Sequence, residues 1–494
     1  MPPESKRSPR AGAAYEPGTP AAARRALLGL GVPVYCELLS GVIAGIIDTL
    51  WVARLGEAAV GAVAVASTLE NVLLGVILMA GTGATILIAD ALGTGRCEVV
   101  QVVVRVVAVL WLVLSSVVAV GGFLLRDRVA TLLVGGGEGD VHRLAVGFLA
   151  VSFPGMAVFF AQNVVDGLFK GTGDTRTPMR MALLANGCVL VLDPLLIYGV
   201  GGLPRLGVQG AALATLAGRA VAVAVSLLLL RRVLGRARGD QVVATGPGVA
   251  TVLRGVLRIG LPVSGDFVLR MGMSAALVGV VARFGAVPLA AYGIGAKVML
   301  LVTMACYAFR QAAAILTART RTGGRSAARL IGRQSLLLAT TTASGMGLLL
   351  ALGGRRVMRL FTADPAVAEV GAVFLRYLLP YLVLLAGVVA LGGVFMGAGR
   401  TRALFTITAF GACVQLPLGY GLSATPLGVQ GAWLSMILAT GAQYGVTWVF
   451  FRRLTVEGAP GGDGDRDAGD AEGTVETGAR RGAGAEDVVD VHKW

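Results

Sequence analysis

Apolar residues run along this chain in blocks too long for the core elements of a soluble domain, and short polar segments rich in Gly, Pro and Arg interrupt them. Stretches such as Val99 to Leu125, Met181 to Val200, Gly210 to Leu230 and Leu404 to Leu422 come close to or exceed the roughly 20 residues that a helix rising about 1.5 Å per residue needs to cross a hydrocarbon core. The alternating pattern of a barrel strand is absent, so helices are the predicted form. Twelve spans follow, at roughly 27-53, 58-91, 99-125, 140-169, 177-200, 208-231, 251-281, 286-318, 326-353, 365-396, 402-423 and 428-452.

The blocks repeat. LGVQGA occurs at Leu206 to Ala211 and again at Leu427 to Ala432, each time opening an apolar segment after a polar loop. GVPV at Gly31 to Val34 matches GLPV at Gly260 to Val263, Val52-Ala53-Arg54 matches Val281-Ala282-Arg283, and GTGDTR at Gly171 to Arg176 matches GAGRTR at Gly397 to Arg402. The offset is far longer than the period of about 20 to 50 residues expected of a solenoid or propeller. With six spans in each unit the second half enters the membrane as the first does, so the repeats are parallel. The expected fold class is therefore an all-α polytopic membrane protein: twelve transmembrane helices in two six-helix lobes around a central cleft. The expected organisation is an N-terminal arm (1-20), an N-terminal lobe (21-235), a linker (236-250), a C-terminal lobe (251-454) and a tail (455-494), with arm and tail disordered because they are polar and rich in Gly, Ala, Pro and charge.

Composition agrees: 55% of the 494 residues are hydrophobic and 14% charged, too apolar for a hydrated surface. Lys and Arg number about 24 in the N-terminal arm, the even-numbered loops and the start of the tail, against about 9 in the odd loops, which predicts cytoplasmic termini. The net charge of +15 lies in short loops beside apolar spans, which argues against a nucleic-acid partner. Cys36, Cys97, Cys188, Cys306 and Cys413 are scattered, and His142 and His492 are the two imidazoles, so neither disulfides nor a structural metal site is expected. The first apolar stretch is too long for a cleaved signal peptide and reads as a span.

The run GLFKGTGDTRTPM from Gly167, followed by Asn186, LDPLLIYG at Leu192 to Gly199 and LGVQGAALAT, resembles the MATE family of multidrug and toxic compound extrusion transporters, as does Asp48-Thr49 followed by WVARLG. The resemblance covers about residues 25 to 455. It implies two lobes about a cleft, inward movement of H+ or Na+ against outward movement of substrate, and no ATP hydrolysis; the chain also has no GxxxxGK[ST] loop. Within the family the chain looks most like the DinF-type branch, whose ion site lies in the N-terminal lobe. That resemblance makes Pro33 the helix-bending proline, Asp48, fifteen residues on, the first coupling acid, Asp193 the second, and Asn186 and Thr215 their polar companions. Val189 departs from the pattern, standing where the family has an asparagine. A Na+ cage of hard oxygens is then incomplete, which favours protons while leaving Na+ open.

Depth is consistent with this grouping. Asp48 lies roughly 9 Å, Asp193 roughly 10 Å and Thr215 roughly 12 Å inside the same membrane face. A carboxylate in a span costs about 2.5 to 3.5 kcal/mol on insertion scales, and two close carboxylates in low dielectric resist double ionisation, so such a pair can load a proton. Plain structural roles stand beside these: Asp48 snorkelling to the outer surface, Asp193 bonding backbone groups freed by Pro194, and Thr215 bonding its own helix.

Outside the family pattern, Glu37 and Asp266 each fall four residues after the repeated proline. They either face the cleft from the two lobes or pair locally, as the Asp266 to Arg270 spacing of one turn allows. Arg270 and Arg310 lie far from their helix ends, where an arginine faces a cavity or a carboxylate, and Glu70 in mid-span is a candidate for either the cleft or such a pair. The second half lacks the ion site, with Leu277 and Gly419 in place of Asp48 and Asp193, so coupling should be one-sided.

The expected protein is a non-enzymatic secondary antiporter of a bacterial plasma membrane. It exports an amphiphilic small molecule, works as a monomer among lipids, and needs no cofactor beyond its coupling ion. A Na+-coupled exporter and a flippase for lipid-linked precursors are the alternatives. An intramembrane enzyme would need a convergent nucleophile, a metal or a phosphate-binding loop, none of which the spans supply.

Overall fold

The structure, a computed structural model, describes residues 19–134, 139–199, 204–237, 248–320 and 323–456. Nearly all of the expected arm, most of the linker, the tail beyond residue 456 and His492 lie outside these residues.

Twelve helices are present among the described residues: α1 (Pro20–Ala53), α2 (Glu57–Gly93), α3 (Cys97–Val134), α4 (Asp140–Gly171), α5 (Arg176–Tyr198), α6 (Val208–Ala237), α7 (Val249–Ala282), α8 (Ala286–Arg319), α9 (Gly324–Arg359), α10 (Pro365–Gly397), α11 (Thr401–Ser423) and α12 (Val429–Val456). Each is long and apolar enough to cross a bilayer. The starts of α1 and α10 are set by capping: Thr19 accepts from the Ala22 amide at 3.3 Å and Asp364 from the Ala366 amide at 2.8 Å, with Pro20 and Pro365 in the first turn, where proline loses no hydrogen bond.

Four helices outrun their predicted spans by six residues or more: α1 starts seven residues earlier, α3 continues nine residues past Leu125, α6 six past Arg231, and α9 six past Gly353. Apolar runs mark the hydrocarbon thickness alone. The backbone ladder continues through Arg126, Asp127 and Arg128, or Arg355 and Arg356, because charged side chains are hydrated beyond the hydrocarbon while the helix still bonds itself.

The sequence repeat is also a packing repeat. In the first lobe α2 packs on α4, α3 on α4, α5 on α6, α1 on α5 and α4 on α6; in the second, α8 packs on α10, α9 on α10, α11 on α12, α7 on α11 and α10 on α12. Prolines lie inside the matching helices α1 and α7, α4 and α10, and α5 and α11. LGVQGA occupies the same place in both lobes. Gly207 and Gly428 each have φ 55°, a left-handed turn that costs other residues about 1 to 2 kcal/mol. A methyl group on Gly210 or Gly431 would collide with the backbone oxygen of Leu196 or Leu422 on the preceding helix.

The two lobes meet on one side. Towards the face that carries the ends of α1 and α12, called here the termini face, shared apolar clusters join the lobes. Val252 and Val256 pack with Ile77, Ala80 and Val103, while Ile86 and Ala89 pack with Ile259, Ala314 and Ala318. Leu27 joins Ala312 and Leu316 in a third. Close backbone approaches tighten this seam, since methyl groups on Gly83, Gly93 and Gly260 would strike the backbone of Val256, Arg319 and Met79 respectively.

Towards the opposite, far face each lobe keeps its own core. One is built around Val52, Phe148, Phe153 and Ile197, the other around Leu277, Tyr292, Phe374 and Trp433. Along α7, Ser264 donates to the Gly75 carbonyl of α2 and Val268 lies against Gly75, yet Met271 and Ala275, further along the same helical face, are exposed. The lobes therefore part towards the far face, leaving a cleft closed on the termini face.

Candidate ion-coupling site and interlobe cleft

The far half of the first lobe encloses a cavity of about 160 Å³. Asp48 and Gly45 of α1, Ser67 and Glu70 of α2, Ser152 of α4, Asn186 and Val189 of α5, and Thr215 and Arg219 of α6 line it. Five helices thus bring their polar side chains to one place, and small residues Gly41, Ala44 and Gly45 leave room for it along α1. The structure brings Asp48, Asn186 and Thr215 together in this wall. Asp193 is fully buried and in electrostatic reach of Asp48.

Their satisfaction is unusual. Both carboxyl oxygens of Asp193 and one of Asp48 are buried without a hydrogen-bond partner. Such groups cost free energy unless protonation or a ligand compensates them. Asn186 donates to the Ser40 hydroxyl at 2.9 Å, and Ser40 in turn donates to the Glu37 carbonyl at 2.8 Å, so the α5 wall is tied to α1. Pro33 lies buried on α1 between the seam and this wall, where its missing N–H removes the donor for the Gly29 carbonyl. Val189 presents alkyl groups to the cavity.

From the cavity a series of charges runs towards the termini face. Glu70 bonds Ser152 and lies in electrostatic reach of Arg219. The Arg219 guanidinium stacks over the Phe159 ring at 4.1 Å and also reaches Asp166. Asp166 accepts from Gln162 at 2.8 Å and lies near Glu37 and Lys170. Lys170 donates to Glu37 at 2.7 Å, with each side chain 12% and 13% exposed.

Of the two readings of Glu37 and Asp266, the geometry shows paired acids, including the Asp266 to Arg270 pair that the spacing allowed, and not acids open to the cleft. Glu37 is committed to Lys170. Asp266, 2% exposed, accepts from Arg270 at 3.1 Å, Arg310 at 3.2 Å and the Thr408 hydroxyl at 2.5 Å. The equivalence is one of sequence position; the partners come from α4 in one lobe and from α7, α8 and α11 in the other. Glu70 likewise stays inside its own lobe, in electrostatic reach of Arg219, and neither Arg270 nor Arg310, both held by Asp266, is its partner.

Several charged residues escaped the sequence reading: Asp166, Lys170, Arg219 and Lys297. A signal was present for each, since a charge far inside an apolar run, the criterion that singled out Arg270 and Arg310, also marks Asp166, Arg219 and Lys297. Lys170 stood inside the GLFKGTGDTR run itself. Lys297 is exposed on α8, and among the described residues it makes no ion pair or hydrogen bond.

A twelve-helix membrane fold built from two parallel six-helix repeats about a cleft defines the class of secondary membrane transporters. The model of the MatE family matches residues 33–195 and 262–421, one match in each lobe, and the chain belongs to that family of multidrug efflux transporters. A probable multidrug resistance protein NorM of Thermotoga maritima is 27% identical over 419 residues, which are 84% of this chain and 89% of that protein. The multidrug resistance protein MdtK of Yersinia pestis is 25% identical over 428 residues, covering 84% of this chain and 92% of its own. Among solved structures, a MOP superfamily transporter from Pyrococcus furiosus aligns with TM-score 0.79 at 22% identity over 87% of this chain and 95% of its own. An outward-facing MATE family transporter aligns with TM-score 0.78 at 22% identity over 87% of this chain and 95% of its own. These two show the shared fold.

Proposed function

We propose that the protein is a proton-coupled antiporter that exports amphiphilic small molecules across a bacterial plasma membrane, its termini cytoplasmic and its ion site in the N-terminal lobe as in the DinF-type branch. The observation that carries this reading is the pair Asp48 and Asp193, three of whose four carboxyl oxygens are buried without partners beside a cavity. Two such groups at close range resist double ionisation, so one proton shared between them relieves both the desolvation and the repulsion. A proton entering through the far-face opening lowers the charge of the pair from two to one and turns an acceptor-only carboxylate into a donor. That change can redirect hydrogen bonds among α1, α5 and α6, and Pro33 supplies the weakened ladder at which α1 can bend.

Sodium is the alternative ion. Asp48, Asp193, Asn186 and Thr215 would offer oxygens to it, but Val189 occupies part of the wall with carbon, so the oxygen set is smaller than a hard cation prefers. No part of the reading requires a cofactor or a second subunit.

Everted membrane vesicles test it. On addition of an exported dye an imposed proton gradient should partly collapse, Asp48→Asn should abolish that response, and Asp193→Asn should reduce it at least tenfold. Full drug-dependent proton flux in both variants would overturn the assignment, and flux driven by a Na+ gradient alone would transfer the same residues to sodium.

A further inference from the structure

The two lobes face each other with opposite charge. Among the described residues, the interior of the N-terminal lobe holds the carboxylates of Glu37, Asp48, Glu70, Asp166 and Asp193 against the two bases Lys170 and Arg219. The C-terminal lobe reverses this. Its one carboxylate inside the membrane is Asp266, already shared between Arg270 and Arg310, and Lys297 stands on α8 without a counter-ion.

Lys297 points into the cleft. Residues along a helix turn about 100° each, so Ala312 and Ala318 lie about 60° to either side of the Lys297 direction. Ala312 lies against Gly31 of α1, and Ala318 packs with Ile86 and Ala89 of α2. The Lys297 direction therefore bisects the two N-terminal-lobe helices that form the opposite wall, about four to six turns beyond the seam positions Ala312 and Ala318 where α8 touches them. Gly293 and Leu300, on the same face, are exposed as well. From Ala286, the first residue of α8, the Lys297 backbone is roughly 16 Å deep, and from Ala282, the last of α7, Arg270 is roughly 18 Å deep. A lysine carried on lipid-facing surface at that depth would cost several kcal/mol; a water-filled cleft removes this cost.

We propose that the cleft face of the C-terminal lobe is an anion-recognition face, with Lys297 as its anchor and the Asp266, Arg270 and Arg310 cluster as its positive background. The exported amphiphile accordingly carries a carboxylate or phosphate on an apolar body. The inference rests on the antiporter reading above and adds the charge class of its cargo. The lone ammonium fits one anionic group, whether it belongs to a soluble molecule or to a lipid headgroup. Cargo and ion then occupy different lobes, and the anionic N-terminal lobe repels the same group that the C-terminal lobe attracts.

Binding and transport are read separately. The purified full chain, in nanodiscs of zwitterionic phosphatidylcholine, is titrated with fluorescein, an anionic dye, and with rhodamine 123, a cation of similar shape, and anisotropy is followed. Fluorescein should bind the more tightly by at least tenfold, Lys297→Gln should erase that preference, and Lys297→Arg should keep it. Tighter binding of rhodamine 123 by the native protein, or no change on Lys297→Gln, would overturn the proposal. Nanodiscs containing phosphatidylglycerol separate the two sources. Competition with fluorescein through Lys297 assigns the anion to a headgroup, whereas undiminished binding assigns it to a soluble molecule, and both keep Lys297 as the anchor. If fluorescein binds through Lys297 but an ion gradient moves neither dye in proteoliposomes, the antiporter reading fails and the anion site stands.

Discussion

Asp266 holds Arg310 at 3.2 Å across the boundary between α7 and α8 while holding Arg270 at 3.1 Å on its own helix. One carboxylate therefore neutralises half of a buried pair of guanidiniums and fastens four elements, since Arg270 also donates to Thr408 of α11 at 2.9 Å and Arg310 lies beside Met396 of α10.

Asp266→Asn leaves two buried cations with no counter-charge. Removing one partner of a buried ion pair costs roughly 3 to 5 kcal/mol, so this variant should lose most of its monodisperse fraction in detergent. Arg270→Gln should cost far less, about 1 to 2 kcal/mol, because Asp266 keeps Arg310 and Thr408. Thermal melts of the two purified variants give the ordering, and equal melting temperatures would refute it.

Glu37 and Lys170 provide a second ordering. Lys170→Met alone strands Glu37 beside Asp166, while Lys170→Met with Glu37→Gln removes both charges. The double variant should melt at a higher temperature than Lys170→Met by several degrees, the mark of a coupled pair. A double variant less stable than both singles would show that the residues act independently.

Gly260→Val should hold the seam open. Its side chain would run into the Met79 backbone, which belongs to the other lobe and cannot yield by a rotamer change. A cysteine introduced at Ala314, buried in the seam, should then react with a maleimide severalfold faster than in the parent. Unchanged labelling would mean that the seam tolerates the bulk.

Gly428→Ala and Gly207→Ala should each cost about 1 kcal/mol, since both sit at φ 55°. Gly431→Ala should cost more, because its methyl group meets the Leu422 carbonyl. Denaturation in mild detergent compares the three, and an inverted order would contradict the close α11 to α12 approach.

The helix count and the duplication could be read from the chain because they depend on local periodicity and repeated loops, while the grouping of Asp48 with Asn186 and Thr215 rests on the family resemblance, with depth along the helices in agreement for Asp48 and Thr215. What escaped depends on which helix lies beside which. Nothing near Glu37 announces Lys170, which is 133 residues away in sequence and reaches it from α4 through its long side chain. For the same reason the sequence leaves Glu70 open between the cleft and an arginine such as Arg270 or Arg310: the arginine in its reach, Arg219, stands on α6, and depth alone does not choose between lobes. A charge deep in an apolar run marks Lys297 as well, but which wall it faces depends on the helices packed beside α8.

The seam on the termini face has a property beyond closure. Among the Val, Ile and Leu side chains of its clusters, its closest approaches are glycine laid against backbone, at Gly83, Gly93 and Gly260. Such residues freeze almost no side-chain rotamers on contact, against up to about 2 kcal/mol for a long flexible side chain. Parting and rejoining these glycine contacts therefore changes side-chain entropy little, which suits a seam that would open and close in the proposed antiport cycle.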